Sequence, residues 1–508
     1  MKSIFKSVAI ITVFSILTRL LGFIFRIYLS RTIGAEALGI YQVSLSVLFV
    51  LLTFVSSGLP LIISRMVASF RVSNDKKAES RLVSTSLLFS GILSIILCLI
   101  VILFQGIFKN LFTDESCMMI LIILLPSLVF SSFYCVFRGA LWGKDNYFAL
   151  CISELFEQIV KIIICVILLG KTLSVVNSAI SVAWAFTLSC VASAIFVMVL
   201  YFVYGGRLSK PSNIYKSLIK QSAPITGIRA VGSFVQPLVA FMIPNRLVKL
   251  GYTNTQALSI YGIAVGMTLP LLYLPNTLIG SLSTALIPDI SMAVAENNTN
   301  HIEKRIQSSL TFSIFVSSIA VPVYIGLGEM IGQFLYADIL SGTLLMKSAW
   351  IMIPMGITNI TSALLNSLGY EIKSFVNYIC GALAMFLCIW FLTSFAGINA
   401  LAIGLGLCAI ITSFLNIRML KQKTKVSINI LKPLIKIVLI ILPCSALTSF
   451  VGSLLSFIFP TFIVLILAGM ISVITFILLC IIFNIVDISS YYVAIKNKLK
   501  FKKNKVKS

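Results

Sequence analysis

Four basic side chains lie inside long apolar runs of the sequence, where a charge is costly. They are Arg19, Arg26, Lys161 and Arg229. A charged side chain at the centre of a bilayer costs about 2.5–3.5 kcal/mol on insertion scales, so such residues face other protein groups or a water-filled cavity. Two kinds of chemistry follow from a cation in this position: neutralisation by an acid, or binding of an anion.

Lys161 has acidic neighbours in its own segment. Glu154, Glu157 and Lys161 in SELFEQIVKI share one helix face, and Glu157 precedes Lys161 by four residues, the favoured orientation for a helical ion pair. The spacing therefore predicts an intramembrane ion-pair cluster with a structural role. A role of Lys161 in binding is the alternative.

The three arginines have no such neighbours. Arg19 and Arg26 are seven residues apart, so they share a helix face about 10.5 Å apart along the axis. Arg229 and Gln236 repeat this spacing. Three interpretations are open: Arg26 reaching the interface along its aliphatic stem, pairing with an acid distant in sequence, or a cationic cavity. A cavity of guanidinium groups favours phosphate or carboxylate, whose oxygens match the planar fork.

Composition indicates the elements that hold these residues. Hydrophobic residues make up 59% of the 508 and charged residues 11%, and the mean hydropathy is +1.08. These values are typical of an integral membrane protein. Apolar runs long enough to cross about 30 Å of hydrocarbon recur throughout, which predicts an all-α polytopic bundle of about fourteen spans, the first two near 8–30 and 38–63.

The distribution of the +24 net charge predicts the orientation. Of the 39 Lys and Arg residues, 29 lie in connections and ends on the side of the N-terminus, six lie on the opposite side, and four lie within spans. The positive-inside rule then predicts a multi-pass cell-membrane protein with both termini in the cytoplasm. We interpret the lysine-rich tail as an anchor attracted to membrane lipids, and we expect no nucleic-acid binding.

The sequence contains an internal repeat. TRLLGFIFR at 18–26 aligns with IRAVGSFVQ at 228–236, which matches Arg19 with Arg229. Six predicted helices separate the two copies, so both halves have the same orientation and are related by an axis along the membrane normal. Transporters of this design place the substrate site between the halves near the midplane, and the repeat predicts that Arg19 and Arg229 lie across that interface from one another.

The repeat also predicts the domain organisation. We expect an N-terminal lobe at 1–206, a second pseudo-symmetric lobe of six helices at 207–425, two additional helices at 426–488, and a basic cytoplasmic tail at 489–508. The eighth helix contains Pro270 and Pro275, each of which removes a backbone donor and bends the helix. The prolines indicate either a gating element or a static kink.

Other chemistries are not indicated. Eleven cysteines lie mostly in apolar runs without CxxC spacing, so we expect neither disulfides nor a metal site. No GxxxxGK[ST] phosphate loop is present, so we expect neither direct ATP use nor a cofactor, and a transporter rather than an enzyme. Membrane potential, worth about 2.3 kcal/mol per charge per 100 mV, favours export of an anion, and coupling to a monovalent cation is the alternative energy source.

Three longer motifs carry a resemblance. RLLGFIFRIYLSRTIGAEALGIYQ, FRGALWGKDNYFALCISELFEQIVKI and LPLLYLPNTLIGSLSTALIPDIS are similar to the multidrug/oligosaccharidyl-lipid/polysaccharide (MOP) flippase superfamily, within it most to the stage V sporulation protein B group of peptidoglycan-precursor flippases. The resemblance covers essentially the whole chain. It implies a two-lobed fold of fourteen helices and alternating access.

The resemblance also implies a cargo. Such flippases move an undecaprenyl-pyrophosphate-linked oligosaccharide, lipid II foremost, to the outer leaflet, and in this branch for spore cortex peptidoglycan. Arginines on their first helix bind the pyrophosphate, and Arg19 and Arg26 match those positions. Arg229 enters through the internal repeat, and Gln236 stands where the repeat lacks the second cation.

Four functional hypotheses follow. The first is a lipid II flippase whose partners are the lipid-linked anionic glycan and membrane lipids, acting as a monomer. The others are an exporter of another lipid-linked polysaccharide, a cation-coupled drug exporter of the same fold, and a non-transporting membrane scaffold. A drug exporter would need carboxylates in its cavity, and the first and seventh helices offer arginines instead.

Overall fold

The computed structural model describes residues 2–170, 174–211, 215–276, 279–280, 299–424, 428–483 and 485, with side chains from residue 11 onward except at 299–302. The predicted basic tail at 489–508 lies outside the described residues. The chain divides into two compact units, one up to Met267 together with Thr393–Ile398, and one comprising Thr268–Leu392 and the residues from Asn399 onward.

The first unit is built of eleven α-helices and a π-helical segment that ends at the unit boundary. These are α1 (Lys2–Ser56), α2 (Leu59–Val72), α3 (Lys76–Leu103), α4 (Gln105–Leu111), α5 (Ser116–Leu124), α6 (Pro126–Gly143), α7 (Tyr147–Leu169), α8 (Val175–Val203), α9 (Tyr215–Ser233), α10 (Val235–Lys249), α11 (Asn254–Tyr261) and the π-helix Gly262–Thr268.

The second unit contains the remaining helices of the described residues. The last residues of one of them, α16, are grouped with the first unit. They are α12 (Leu269–Tyr273), α13 (Thr299–Ile319), α14 (Val321–Tyr336), α15 (Met352–Ser367, preceded by the helix Ile339–Ser348 and the 3-10 turn Ala349–Ile351), α16 (Glu371–Ala396), α17 (Asn399–Thr424), α18 (Leu431–Ser456) and α19 (Thr461–Ile482).

Twelve helical segments of the described residues are long and apolar enough to cross a membrane. The first, Ile11–Val72, contains the two spans predicted near 8–30 and 38–63. Helix α7 is not among the twelve because it contains three charged residues, Glu154, Glu157 and Lys161. The predicted all-helical, multi-span architecture is confirmed. The two counts differ in their treatment of one long helix and one charged helix.

Helix α1 is kinked at Gly34. This residue has φ 77° and ψ 175°, inside an otherwise helical run. A side chain would strain the backbone at this positive φ, so the helix changes direction at a glycine. We refer to the two halves as the first and second arms of α1.

A second interruption lies within the predicted span 38–63. Helix α1 ends at Ser56 and α2 begins at Leu59, with Pro60 in the first turn of α2. Proline suits the first helical turn because its missing N–H has no intrahelical role there. The sequence interpretation treated this segment as one continuous span, whereas the structure divides it at Ser57 and Gly58.

Small residues set the packing of the second arm of α1. A Cβ at Gly39 would overlap the carbonyl of Leu258, and a Cβ at Gly262 would overlap the carbonyl of Ala35. The second arm and the segment from α11 into the π-helix therefore cross backbone to backbone. Further along the unit, a Cβ at Gly139 of α6 would lie 2.9 Å from Pro60 of α2, so these two helices also meet closely.

A buried asparagine on α17 connects three helices of the second unit through hydrogen bonds. Asn416, whose side chain is fully buried, accepts a hydrogen bond of 2.9 Å from Nδ2 of Asn377 and donates to the hydroxyls of Thr361 and Ser362 at 3.2 and 3.1 Å. Buried amides in hydrocarbon need such partners. These contacts join α15, α16 and α17.

Candidate functional site

The first arm of α1 presents Arg19 and Arg26 on a face distinct from its exposed apolar stripe. Five of its large apolar side chains are exposed by 44–59% at 13, 16, 17, 20 and 24. At 100° per residue, the two arginines lie about 125° around the helix from the centre of this stripe. Both side chains are exposed. They therefore do not lie on the face that is most exposed to lipid.

Helix α7 covers the side of α1 opposite the apolar stripe. A Cβ at Gly22 would lie 3.7 Å from Nε2 of Gln158, and the rings of Phe14 and Phe148 are 5.9 Å apart. Gly22 lies about 40–60° around the helix from the two arginines, so Gln158 lies beside the arginine face. The sequence interpretation did not select Gln158, because only tertiary packing brings it to this position.

Arg229 lies at the interruption between α1 and α2. Its Nη1 donates a hydrogen bond of 2.8 Å to the carbonyl oxygen of Ser57. Helix α9 approaches this point closely, since a Cβ at Gly58 would lie 2.7 Å from Oγ1 of Thr226 and 2.9 Å from the carbonyl of Ser222. Ser222, Thr226 and Arg229 share one face of α9 by their spacing. The guanidinium thus contacts a backbone carbonyl at a helix break.

Arg19 and Arg26 lie on the first arm of α1, whereas Arg229 contacts Ser57 beyond the end of the second arm. With 1.5 Å per residue, Arg19 and Arg26 are about 10.5 Å apart along the helix axis. The hydrogen bond holds Arg229 beside Ser57, and the position of Arg19 across from Arg229 stays a prediction.

Two hydroxyls next to these arginines have unused hydrogen-bonding capacity. The side-chain oxygens of Thr18 and Ser57 are buried and have no hydrogen-bond partner among the described residues. A buried hydroxyl without a partner costs about 1–3 kcal/mol. The surroundings of Arg19 and of the Arg229 contact therefore both contain polar groups that a ligand with acceptor oxygens would satisfy after a small rearrangement.

Gln236 is exposed on α10. A one-residue interruption at Phe234 separates α10 from α9, which carries Arg229. Pro237 lies three residues beyond Phe234 and cannot donate to the carbonyl of Ser233. The seven-residue spacing of Arg229 and Gln236 therefore spans an interrupted helix rather than one regular helix face.

The acids of α7 are engaged with basic groups. Nζ of Lys161 lies 3.6 Å from Oε1 of Glu157, and Lys161 also lies over the ring of Phe186, 5.2 Å from its centroid. Glu154 pairs with Arg138 of α6. The 29 cations that the sequence interpretation assigned to connections and ends included Arg138, whereas the structure places Arg138 within α6. The cross-helix partner of Glu154 has no local signature in the sequence.

A second ion-pair network lies at the basic ends of α2 and α3. Nζ of Lys144 lies 2.8 Å from Oε1 of Glu79, and these side chains are 14% and 15% exposed. The same ammonium lies 4.9 Å from the ring centroid of Tyr201. Nearby, Arg71 and Asp145 form an exposed pair at 2.9 Å. The GKDN segment after α6 thus ties three helices together.

The prolines of the eighth predicted span flank a short helix. Pro270 lies in the first turn of α12, directly after the π-helix Gly262–Thr268, and Pro275 follows the end of α12. π-helical segments and prolines both interrupt the regular backbone ladder. The structure shows the irregular helix at this place, and a gating role of the two prolines remains a prediction.

A family match covers more than half of the chain. Residues 4–294 match the family described as Polysaccharide biosynthesis protein. The chain belongs to this family. Its match spans all of the arginines described above. The resemblance to the MOP superfamily that the sequence motifs indicated is thereby confirmed.

This polysaccharide biosynthesis family member has a curated relative in Stage V sporulation protein B of Bacillus subtilis (strain 168). The two are 25% identical over 350 residues, which are 66% of this chain and 67% of the relative. Sporulation protein YkvU of the same organism is 24% identical over 322 residues, covering 61% of this chain and 70% of that protein.

Solved structures share the fold of this family member. The lipid II flippase MurJ in an inward closed conformation matches with a TM-score of 0.67 at 17% identity, over 93% of this chain and 98% of that chain. An inward-facing multidrug resistance transporter of the MATE family of the MOP superfamily matches with a TM-score of 0.67 at 15% identity. The match covers 80% of this chain and 94% of that chain. The fold is therefore that of the MOP superfamily, and the protein is a multi-pass membrane protein.

Proposed function

We propose that the chain is a flippase that moves an undecaprenyl-pyrophosphate-linked oligosaccharide, lipid II foremost, from the inner to the outer leaflet by alternating access. Membership of the polysaccharide biosynthesis family supports a glycan cargo. The similarity to Stage V sporulation protein B supports peptidoglycan of the spore cortex as the destination.

The observation that carries the proposal is the arrangement of the three arginines. Arg19 and Arg26 are about 10.5 Å apart along the first arm of α1, and Arg229 lies at the break that follows the second arm. The guanidinium of Arg19 forms no hydrogen bond or ion pair with any described residue. A phosphate-bearing headgroup that crosses the membrane would meet guanidinium groups at successive depths, where the forked donors bind phosphate oxygens.

The acids of the unit support an anionic rather than a cationic cargo. A drug exporter for cations needs carboxylates that are available to the ligand. In the described residues of α7, Glu157 is paired with Lys161 and Glu154 with Arg138. Because both carboxylates are already neutralised, the described residues of α7 offer no unpaired carboxylate to a cationic ligand.

We propose membrane potential as the energy source. An inside-negative potential supplies about 2.3 kcal/mol per net charge per 100 mV for the exit of an anion. The alternative is coupling to a monovalent cation. We further propose that the protein acts as a monomer. We also propose that both termini lie in the cytoplasm, since the basic residues concentrate on that side.

Reconstitution tests the proposal. Purified full-length protein in vesicles is given labelled lipid II, and its appearance on the far leaflet is measured with and without a potassium diffusion potential. We expect transfer by the wild type, loss of transfer in Arg19→Ala, and normal transfer in Lys249→Gln, which removes an exposed cation of α10. If folded wild-type protein moves no polyprenyl-linked glycan, the scaffold hypothesis replaces the flippase.

A further inference from the structure

An apolar groove runs along the outer face of α3. It encloses about 380 Å³ and is lined by Thr85, Leu88, Phe89, Ile92, Leu93 and Ile96 of α3 with Pro211 and Tyr215. A volume of roughly 300–1,000 Å³ is typical of small-molecule sites. Leu88, Ile92 and Ile96 are each about half exposed, which shows that the groove opens away from the protein.

The walls of this groove are fixed by the packing behind them. Ser80 donates a hydrogen bond of 3.1 Å to the hydroxyl of Ser209, and the Ser209 N–H donates to Oγ of Ser84 at 3.0 Å. These bonds hold the connection before Pro211 on α3. On the opposite side of α3, a Cβ at Gly91 would lie 3.0 Å from the ring of Phe133, so this face packs tightly on α6.

The length and the charge of the groove suit one class of ligand. Its α3 residues, from Thr85 to Ile96, span about 16 Å, roughly half of the 30 Å hydrocarbon core and hence one leaflet. One and two turns before Thr85, on the same side of the helix, stand the exposed cations Arg81 and Lys77, and Lys216 follows Tyr215. An apolar channel one leaflet deep with cations at one end fits a lipid with an anionic phosphate headgroup.

We propose that this groove binds an acyl chain of one anionic phospholipid from the leaflet that faces the basic end of α3, with the headgroup phosphate beside Arg81 and Lys77. The groove is lined by α3, Pro211 and Tyr215 and includes none of the arginines of α1. The occupant is a bilayer phospholipid rather than a polyprenyl lipid, because the groove spans one leaflet only. The bound lipid bridges α3 and the start of α9, the segment that joins the two sequence repeats.

Photolabelling tests the site. Full-length protein is reconstituted in phosphatidylcholine vesicles that contain phosphatidylglycerol with a diazirine on the acyl chain, and the labelled peptides are mapped. We expect labelling on α3 that Ile92→Trp, which fills the groove, lowers by at least about tenfold, equivalent to 1.4 kcal/mol of binding. The matched control is Ile95→Trp, because Ile95 is equally exposed on α3 but does not line the groove.

The headgroup is tested separately. We expect Arg81→Gln to lower labelling by phosphatidylglycerol about fivefold, since one basic side chain near the membrane surface contributes about 1 kcal/mol, and to leave labelling by a diazirine phosphatidylcholine unchanged. Equal loss in Ile92→Trp and Ile95→Trp, or equal labelling by the two lipids, would overturn the site in favour of non-specific lipid contact. Displacement of phosphatidylglycerol by a polyprenyl phosphate at equal concentration would overturn the assignment to a bilayer phospholipid.

These measurements do not depend on the proposed flippase activity. Lipid labelling measures occupancy of the groove whether or not the protein transports a substrate. Leu88→Trp serves as a second filling variant, and thermal unfolding in detergent shows that each variant is folded. A folded Leu88→Trp or Ile92→Trp protein that labels like the wild type would refute the proposal.

Discussion

Nη1 of Arg229 lies 2.8 Å from the carbonyl oxygen of Ser57, at the point where α1 ends and α2 begins. This hydrogen bond thus connects α9 to the break between α1 and α2. A phosphate that approached Arg229 would therefore compete with a backbone carbonyl.

The first prediction concerns this bond. Arg229→Gln removes the charged donor, and we expect amide hydrogen exchange around Ser57 and Leu61 to become about fivefold faster, as expected for loss of a bond worth about 1 kcal/mol. Exchange of peptides covering the end of α1 and the start of α2 measures this effect. Lys220→Gln, which removes an exposed cation of α9, should leave it unchanged. Equal acceleration in both variants would show that the bond does not hold the break.

The second prediction concerns the arginine face of α1. Arg19→Ala and Arg26→Ala should each abolish complementation of a flippase-deficient strain at normal membrane levels of the protein. Arg19→Lys should restore only part of the activity, because an ammonium lacks the planar fork. Complementation of the strain measures activity, and immunoblots of membrane fractions measure the level of each variant. Full activity of the Arg19→Ala, Arg26→Ala double variant would remove the binding role of both residues.

The third prediction compares two ion pairs of the same unit. The Lys144–Glu79 pair is largely buried, whereas the Arg71–Asp145 pair has side-chain exposures of 56% and 70%. Breaking a buried pair leaves an uncompensated charge and costs about 3–5 kcal/mol, while exposed pairs contribute about 0–1 kcal/mol. The temperature of thermal unfolding in detergent should therefore fall strongly in Glu79→Gln and hardly change in Asp145→Asn.

A double variant distinguishes charge from shape at this buried pair. Lys144→Met with Glu79→Leu removes both charges, and we expect it to unfold at a higher temperature than Glu79→Gln, because no unpaired charge remains. If the double variant is the least stable of the set, then packing of the lysine against Tyr201, rather than the ion pair, dominates the stability of this region.

The fourth prediction concerns the glycine crossing of α1 and α11. Gly39→Ala should destabilise the protein, because its Cβ would overlap the backbone carbonyl of Leu258. Overpacking of this kind costs about 1–3 kcal/mol. The control is Gly106→Ala in α4, where no atom lies within 4 Å of the added Cβ. Equal thermal stability of the two variants would show that the crossing relaxes without cost.

The sequence predicted the features that depend on local pattern. The apolar runs predicted the membrane helices because length and hydropathy alone decide which segments cross a bilayer. Glu157 and Lys161 were predicted to share a helix face because residues four apart are neighbours on an α-helix. The interruption at Ser57 and Gly58 was not predicted, although Ser56, Ser57 and Gly58 interrupt the apolar run and Pro60 marks the new helix start.

Contacts between helices could not be read from the sequence. Arg138 belongs to a segment that resembles a basic connection, and its pairing with Glu154 depends on how α6 and α7 pack. The internal repeat matched Arg229 with Arg19, but it did not predict the contact of Arg229 with Ser57. That contact forms where Gly58 allows α9 to approach.

The crossing at Gly39 and Gly262 has a mechanical consequence. Most helix pairs interlock through side chains that fit ridges into grooves, so movement along the contact requires rotamers to change. Here the carbonyls of Ala35 and Leu258 face Gly262 and Gly39 without a side chain between them, while the side chain of Leu38 fits beside Gly266. Sliding of the second arm of α1 along this neighbour therefore has to move Leu38 out of the space that Gly266 leaves.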